Sequence, residues 1–215
     1  FADTSLKHWQ HQVFLCPTLL SALIDEAVVE AGVDTLLHTI PASVEKSEGG
    51  WRVRLCGKEG LHSVGTRWLV DATGDANAAA LAGCPIKERE PSLQPGTLVF
   101  ELGGYEPSAI DVEALDREAA KAMESGKLEP TDLGWSGKSL NHLVRSRGKN
   151  SVHVPGIDAV DSRGKTEAEF KARRTLIRVF RFLKQQPGFE ALFVNWCAPE
   201  CGLGPTSRSG SSGTG

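Results

Sequence analysis

Val70-Asp71-Ala72-Thr73-Gly74-Asp75 is the stretch of this chain best suited by residue type to hold a ligand. A glycine lets backbone approach a bound molecule, and a carboxylate accepts hydrogen bonds from sugar hydroxyls. Trp68 to Ala72 reads as a buried strand and Ala76 to Ala82 as an Ala-rich helix closed by Gly83. The turn between them therefore falls at the carboxyl edge of an α/β sheet, where open sheets bind ligands. The same residues also suit a plain strand-to-helix turn with Asp75 as its N-cap. The residue types alone leave both readings open.

Other constellations are weaker. Asp132-Leu133-Gly134-Trp135-Ser136-Gly137-Lys138-Ser139 ends like a phosphate-binding loop, and so does Gly164-Lys165-Thr166. Both lack the leading glycine that lets backbone N–H groups wrap a phosphate, and Asp132 stands where it would repel one. A degenerate phosphate-loop NTPase is thus a remote third reading. His8 and His11 can share one helical face, but no second ligand pair lies nearby, so no metal is expected. Cys197-Ala-Pro-Glu-Cys201 has three intervening residues, not the two of a thioredoxin-like motif. Lys171, Arg174, Arg178 and Arg181 form a basic row on one helix. Such a row is ordinarily a solvated face, yet Arg174 and Arg178 could receive an acidic protein partner. No catalytic residue stands out: His142, Arg145 and His153 have no partner visible in sequence.

The elements that must position these groups follow from periodicity. Leu19, Leu20, Leu23, Ile24, Ala27 and Val28 recur at helical spacing between Pro17 and Gly32, so a helix over 17–31 with a buried face is expected. Val33 to Thr39 reads as a buried strand after it. The period then becomes two: 42–46, 51–56 and 61–67 alternate around Gly-containing turns, predicting an antiparallel meander. Beyond about residue 90 the pattern predicts a strand at 97–102, a polar helix at 111–123, a loop over 126–150 and a strand at 151–154. A long helix from the capping box Thr166-Glu167-Ala168-Glu169 to Gln186 and a strand at 192–196 complete it. The fold class expected is α/β, with an α+β second half. The domains expected are 1–90, 91–201 and a flexible Gly/Ser-rich tail over 202–215.

Composition sets the outer bounds. The chain has 215 residues, 40% of them apolar, with 24 Lys plus Arg against 27 Asp plus Glu. That is globular composition, and a net charge of −3 gives no electrostatic footprint for nucleic acid. No apolar run approaches the roughly 18 residues of a membrane span. Five scattered cysteines fit a reducing cytoplasm better than a disulfide framework.

With these elements in order, the chain resembles the FAD-dependent oxidoreductases with two dinucleotide-binding domains, related in fold to succinate dehydrogenase and fumarate reductase flavoproteins. The resemblance rests on Val70 to Asp75 with Ala79-Ala80-Leu81-Ala82-Gly83-Cys84-Pro85, on Gln94 to Phe100 and on Leu102-Gly103-Gly104. It continues through Thr166 to Arg174, Arg181-Phe182-Leu183, Pro187-Gly188-Phe189 and Ala198 to Gly202, covering most of 13–203. It implies a partial Rossmann-like FAD-binding domain carrying the meander, then a substrate domain. It implies FAD as cofactor, with Ala72, Thr73 and Gly74 beside it, Asp75 on its ribose or ribityl hydroxyls, and backbone at Pro41 and Ala42 against adenine. The implied reaction is hydride transfer between a small-molecule substrate and flavin. No window of the sequence contains Gly-x-Gly-x-x-Gly, the family's pyrophosphate-binding pattern. The chain therefore reads as a fragment that binds FAD weakly by itself, with a flavoprotein-derived interaction module as the alternative. After Leu203 the family pattern gives way to Gly204-Pro205-Thr206-Ser207, as a frameshift, truncation or appended tail would produce.

Overall fold

The computed structural model describes residues 16–85, 95–134, 137–157, 159 and 161–203. The chain divides into two compact units, Phe1–Leu69 and Val70–Gly215. His8 and His11, the boundary expected near residue 90 and the tail beyond Leu203 lie outside the described residues.

In the first unit, helix α1 (Pro17–Glu30) starts on its proline as expected and is followed by Gly32 at φ 65°. Its apolar side is not covered, however: α1 buries none of its residues. Nor does Val33 to Thr39 form the expected strand. His38 adopts φ 55°, which breaks extension, and the Thr35 and Thr39 hydroxyls donate to the nearby carbonyls of Val33 and Leu37. An apolar run becomes a strand only where a neighbour completes its ladder, and this one has none among the described residues.

The meander is present. Strands β1 (Ile40–Ser47), β2 (Gly50–Gly57) and β3 (Gly60–Thr66) pair antiparallel in sequence order. Val44 faces Val53 across the first pair, and both are buried. The register slips between Pro41 and Ser43, since proline has no N–H to give the ladder.

A further difference follows the end of the meander. Trp68 to Ala72 is not a strand; the ladder stops at Thr66, and Trp68 and Val70 are both 86% exposed. Every strand pair among the described residues is antiparallel. The chain is thus mixed α/β with antiparallel sheets, and both runs expected as Rossmann-like strands are irregular here.

A short helix α2 (Asn77–Leu81) follows. The strand expected at 97–102 is two: β4 (Gly96–Thr97) and β5 (Phe100–Gly103). Helix α3 (Val112–Glu124) is capped by Asp111, which accepts from the Ala114 amide. The expected loop at 126–150 holds a 3₁₀ turn (Pro130–Leu133), helix α4 (Asn141–Ser146) and strand β6 (Gly148–Lys149). Strand β7 (His153–Val154) pairs with β4, while β5 lies between β6 and β8 (Phe193–Cys197).

Helix α5 (Ser162–Leu183) is the organising element. It begins a turn earlier than its sequence suggests, because Asp161 caps it by accepting from the Gly164 amide. Thr166, expected as the cap, instead donates to the Ser162 carbonyl inside the helix. Ala168, Ala172, Thr175, Leu176, Val179, Phe182 and Leu183 repeat at helical spacing and are buried. Of these, Ala172, Leu176, Val179, Phe182 and Leu183 join a core that includes Phe100, Leu98, Leu102, Leu140 and Phe189.

Candidate functional site

The turn from Asp71 to Asn77 is held from inside by a residue that the sequence reading passes over. The Asp71 carboxylate accepts from the Thr73 amide at 2.9 Å and the Thr73 hydroxyl at 2.7 Å. Its other oxygen accepts from the Ala79 amide at 2.8 Å. Thr73 Oγ1 in turn accepts from the Asn77 amide at 2.7 Å. Asp71 and Thr73 therefore satisfy the first N–H groups of α2, the service that capping residues perform. Ala76, not Asp75, occupies the N-cap position, with φ 54° and no side-chain cap. The N-cap alternative for Asp75 falls away. The missed signal was the Asp-x-Thr spacing, a turn in which a carboxylate bonds backbone two residues on.

This cage leaves Ala72, Thr73 and Gly74 exposed and Asp75 half-buried. Gly74 has φ 83°, and a Cβ built on it meets nothing within 4 Å. Backbone is thus open to approach beside a carboxylate, which fits a hydroxyl-bearing ligand. A dinucleotide pyrophosphate needs several free N–H groups instead, and here the Thr73, Asn77 and Ala79 amides are already engaged.

Burial pulls the Asp71 carboxyl upward, but the hydrogen bonds from Thr73, Ala79 and Ala78 outweigh it and hold it below its ordinary 3.8. A lowered carboxyl stabilises the fold above the unfolded-state value and loses that contribution as pH falls through the folded one. The Thr73 and Ala79 amide resonances are expected to shift together in an NMR acid titration, with a midpoint below 3.8. A midpoint at or above that value would remove Asp71 as the organiser. Asp71→Ala should abolish the coupled shift altogether.

Lys165 also lies near this turn. Its ammonium bonds Glu200 at 2.9 Å, and its pKa is raised by Glu200 first, with Glu169 and Asp75 adding to the effect. Asp75 and α5 thus share one electrostatic neighbourhood. Glu169, one turn on, accepts from the Cys201 amide at 2.7 Å and pairs with Arg173 at 2.8 Å. These bonds tie the 198–203 segment to α5, and Thr97 exchanges two backbone bonds of 2.7 Å with Gly202. Thr97 Oγ1 lies 3.0 Å from His153 Nδ1. Burial and the neighbouring His142 push His153 below its usual range, so it stays neutral near pH 7. Sequence leaves His153 isolated; the β4–β7 pair gives it Thr97. Arg145 donates to the Pro107 carbonyl and is a structural contact.

The phosphate-loop reading is not supported. Gly164 N–H serves the α5 cap, Lys165 serves Glu200, and Asp132 is a wholly buried partner of Arg178. Trp135 and Ser136 lie outside the described residues. The five cysteines are free thiols, and burial pushes Cys201 up to about 11, away from reactivity. Among the described residues no three His, Cys, Asp or Glu side chains gather as a metal site, and no helix is long and apolar enough to cross a membrane. Pro41 and Ala42 belong to the first unit, on β1, and Ala72 to Asp75 to the second.

A family model described as FAD dependent oxidoreductase matches residues 3–209. The chain belongs to that family. The match includes both units, and FAD is the cofactor that membership implies. The comparisons with curated proteins and with solved structures return no match.

Proposed function

We propose that this FAD-dependent oxidoreductase holds the sugar-alcohol part of FAD on the Ala72–Asp75 turn, for hydride transfer with a small-molecule substrate. The supporting observation is the open backbone at Gly74 beside the half-buried Asp75, on a turn fixed by Asp71. Asp75 accepts hydrogen bonds from ribose or ribityl hydroxyls, and Ala72, Thr73 and Gly74 lie alongside. FAD, when bound, supplies the hydride acceptor or donor. In the second unit, neutral His153 beside Thr97 is the acid–base candidate for the accompanying substrate proton.

With no Gly-x-Gly-x-x-Gly in its sequence, this chain holds FAD weakly, because phosphate donors are missing. Titration followed by flavin fluorescence tests both points. Weak binding is expected, and Asp75→Ala should weaken it about tenfold further, the value of one hydrogen bond to a charged group. Unchanged affinity in Asp75→Ala removes the turn from the FAD site. A flavin spectrum that survives desalting would show that the missing pattern is not needed. The expected interaction-module alternative, by contrast, finds no support as a replacement for this function: Arg178, one of its two arginines, is committed to Asp132.

A further inference from the structure

Within the second unit, the start of α3 and the turn that follows α5 line a cleft of about 340 Å³. Its floor is apolar: Ile110, Leu115 and Phe189 are all buried. One wall is the 186–189 turn, which its own hydrogen bonds hold in place. The Gln186 amide donates to the Leu183 carbonyl at 2.8 Å, and the Phe189 amide to the Gln186 carbonyl at 3.2 Å. The Gln186 side chain donates to the Phe182 carbonyl at 3.2 Å, and the Gly188 amide to Glu190 Oε1 at 3.0 Å. At Gly188 the turn closes on the floor, since a Cβ there would lie 2.8 Å from Ile110 Cδ1. A preformed, mostly apolar cleft with a few polar groups at its edge is the usual form of a small-molecule site.

The charged groups lining the cleft select the ligand. They are Asp111, Arg117 and Glu118. Asp111 is engaged as the α3 cap, accepting from the Ala114 amide at 2.9 Å, and Glu118 pairs with Lys121 at 2.7 Å. Arg117 is exposed and has neither a hydrogen bond nor an ion pair among the described residues. A guanidinium with all its donors unspent takes both oxygens of a carboxylate. A second anionic group on the same ligand would meet Asp111 and Glu118 and be repelled. The volume is at the small end for ligand pockets, room for one ring or a short chain. We propose that this cleft is a binding site for a small apolar monocarboxylate, with its carboxylate on Arg117 and its body against Ile110, Leu115 and Phe189. Ala114 also lines the cleft, one turn before Arg117 on the same side of α3, so a larger side chain there fills it. The site shares no residue with the Ala72–Asp75 turn or the Thr97–His153 pair, and it is independent of the FAD reading.

Amide NMR of the full chain, titrated with phenylacetate, tests the site, with phenethyl alcohol and phenethylamine as the neutral and cationic controls. Phenylacetate is expected to shift the Ile110, Ala114, Gly188 and Phe189 resonances with a Kd on the order of 1 mM or below. Both controls should bind about tenfold more weakly, the value of a hydrogen-bonded charge. Arg117→Ala should leave phenylacetate no tighter than phenethyl alcohol, and Arg117→Lys should recover part of the difference. Ala114→Leu should abolish the shifts from all three compounds. Far-UV circular dichroism checks that the variants keep their helices, and Arg117, being exposed, carries the test even where Ala114→Leu disturbs packing. Absence of phenylacetate shifts at the cleft residues overturns the proposal. So does phenethylamine binding as tightly as phenylacetate, or an Arg117→Ala chain with unchanged affinity.

Discussion

Arg178→Ala is expected to cost the second unit about 3 kcal/mol, the low end for breaking a buried ion pair. Arg178 donates from Nε and Nη2 to the two Asp132 oxygens at 2.8 and 2.7 Å, a bidentate fork. Asp132 is 0% exposed, so removing the guanidinium strands a carboxylate that water does not reach. The same arginine bonds Thr175, which is buried on α5. The carboxylate also accepts from the Glu129 amide and so fixes the 3₁₀ turn at Pro130. Removal of the pair therefore unpins the turn from the helix. The low end of the range applies because the Arg178 side chain is 25% exposed, and solvent screens part of the interaction. Thermal unfolding should fall by roughly 6–12 °C for a unit of this size. Arg178→Lys recovers only part of the loss, since an ammonium cannot reproduce the fork. Arg174→Ala, on the exposed face four residues earlier, should stay within about 0.5 kcal/mol. Equal effects at 174 and 178 would sink this account.

That contrast shows what sequence can and cannot carry. Arg174 and Arg178 are equivalent on a helical wheel, and only the fold brings Asp132 beneath one of them. Local patterns were legible wherever the chain supplies its own partner. The meander is clear because each strand's neighbour follows at once, as the Val44–Val53 pair shows. α5 is clear because its apolar spacing runs unbroken from Ala168 to Leu183. The runs at 33–39 and 68–72 look like strands in sequence but are not, because apolar composition reports only a tendency to be buried. A strand also needs a ladder partner, and the described residues provide none. At the candidate site, Gly74 and Asp75 could be named from residue type. Asp71 was within reach through its spacing to Thr73. The Thr97–His153 contact spans 56 residues and depends on β4 meeting β7, which no local pattern announces.

Gly104→Ala should be as damaging, at about 3 kcal/mol or more, and for a reason that gives Leu102-Gly103-Gly104 a physical meaning. Gly104 has φ 83°, a region costing an alanine about 1–2 kcal/mol. Its added Cβ would also lie 1.9 Å from the Ala191 carbonyl oxygen and 2.6 Å from its carbon. Those are backbone atoms, so no side chain can swing aside. Gly103 pairs with Phe193 at the start of β8, so relief requires the end of β8 to move from β5. That movement disturbs the strand whose Phe100 and Leu102 sit in the core. Gly126→Ala is the control: its φ is 72°, yet nothing lies within 4 Å of the added carbon. It should lose only the conformational part, about 1 kcal/mol. Urea unfolding of both variants separates the two contributions, and equal losses would mean that β8 yields to the methyl group. With the expected difference, the paired glycines belong to close strand packing, whereas Gly74, like Gly126, has open space where a Cβ would stand.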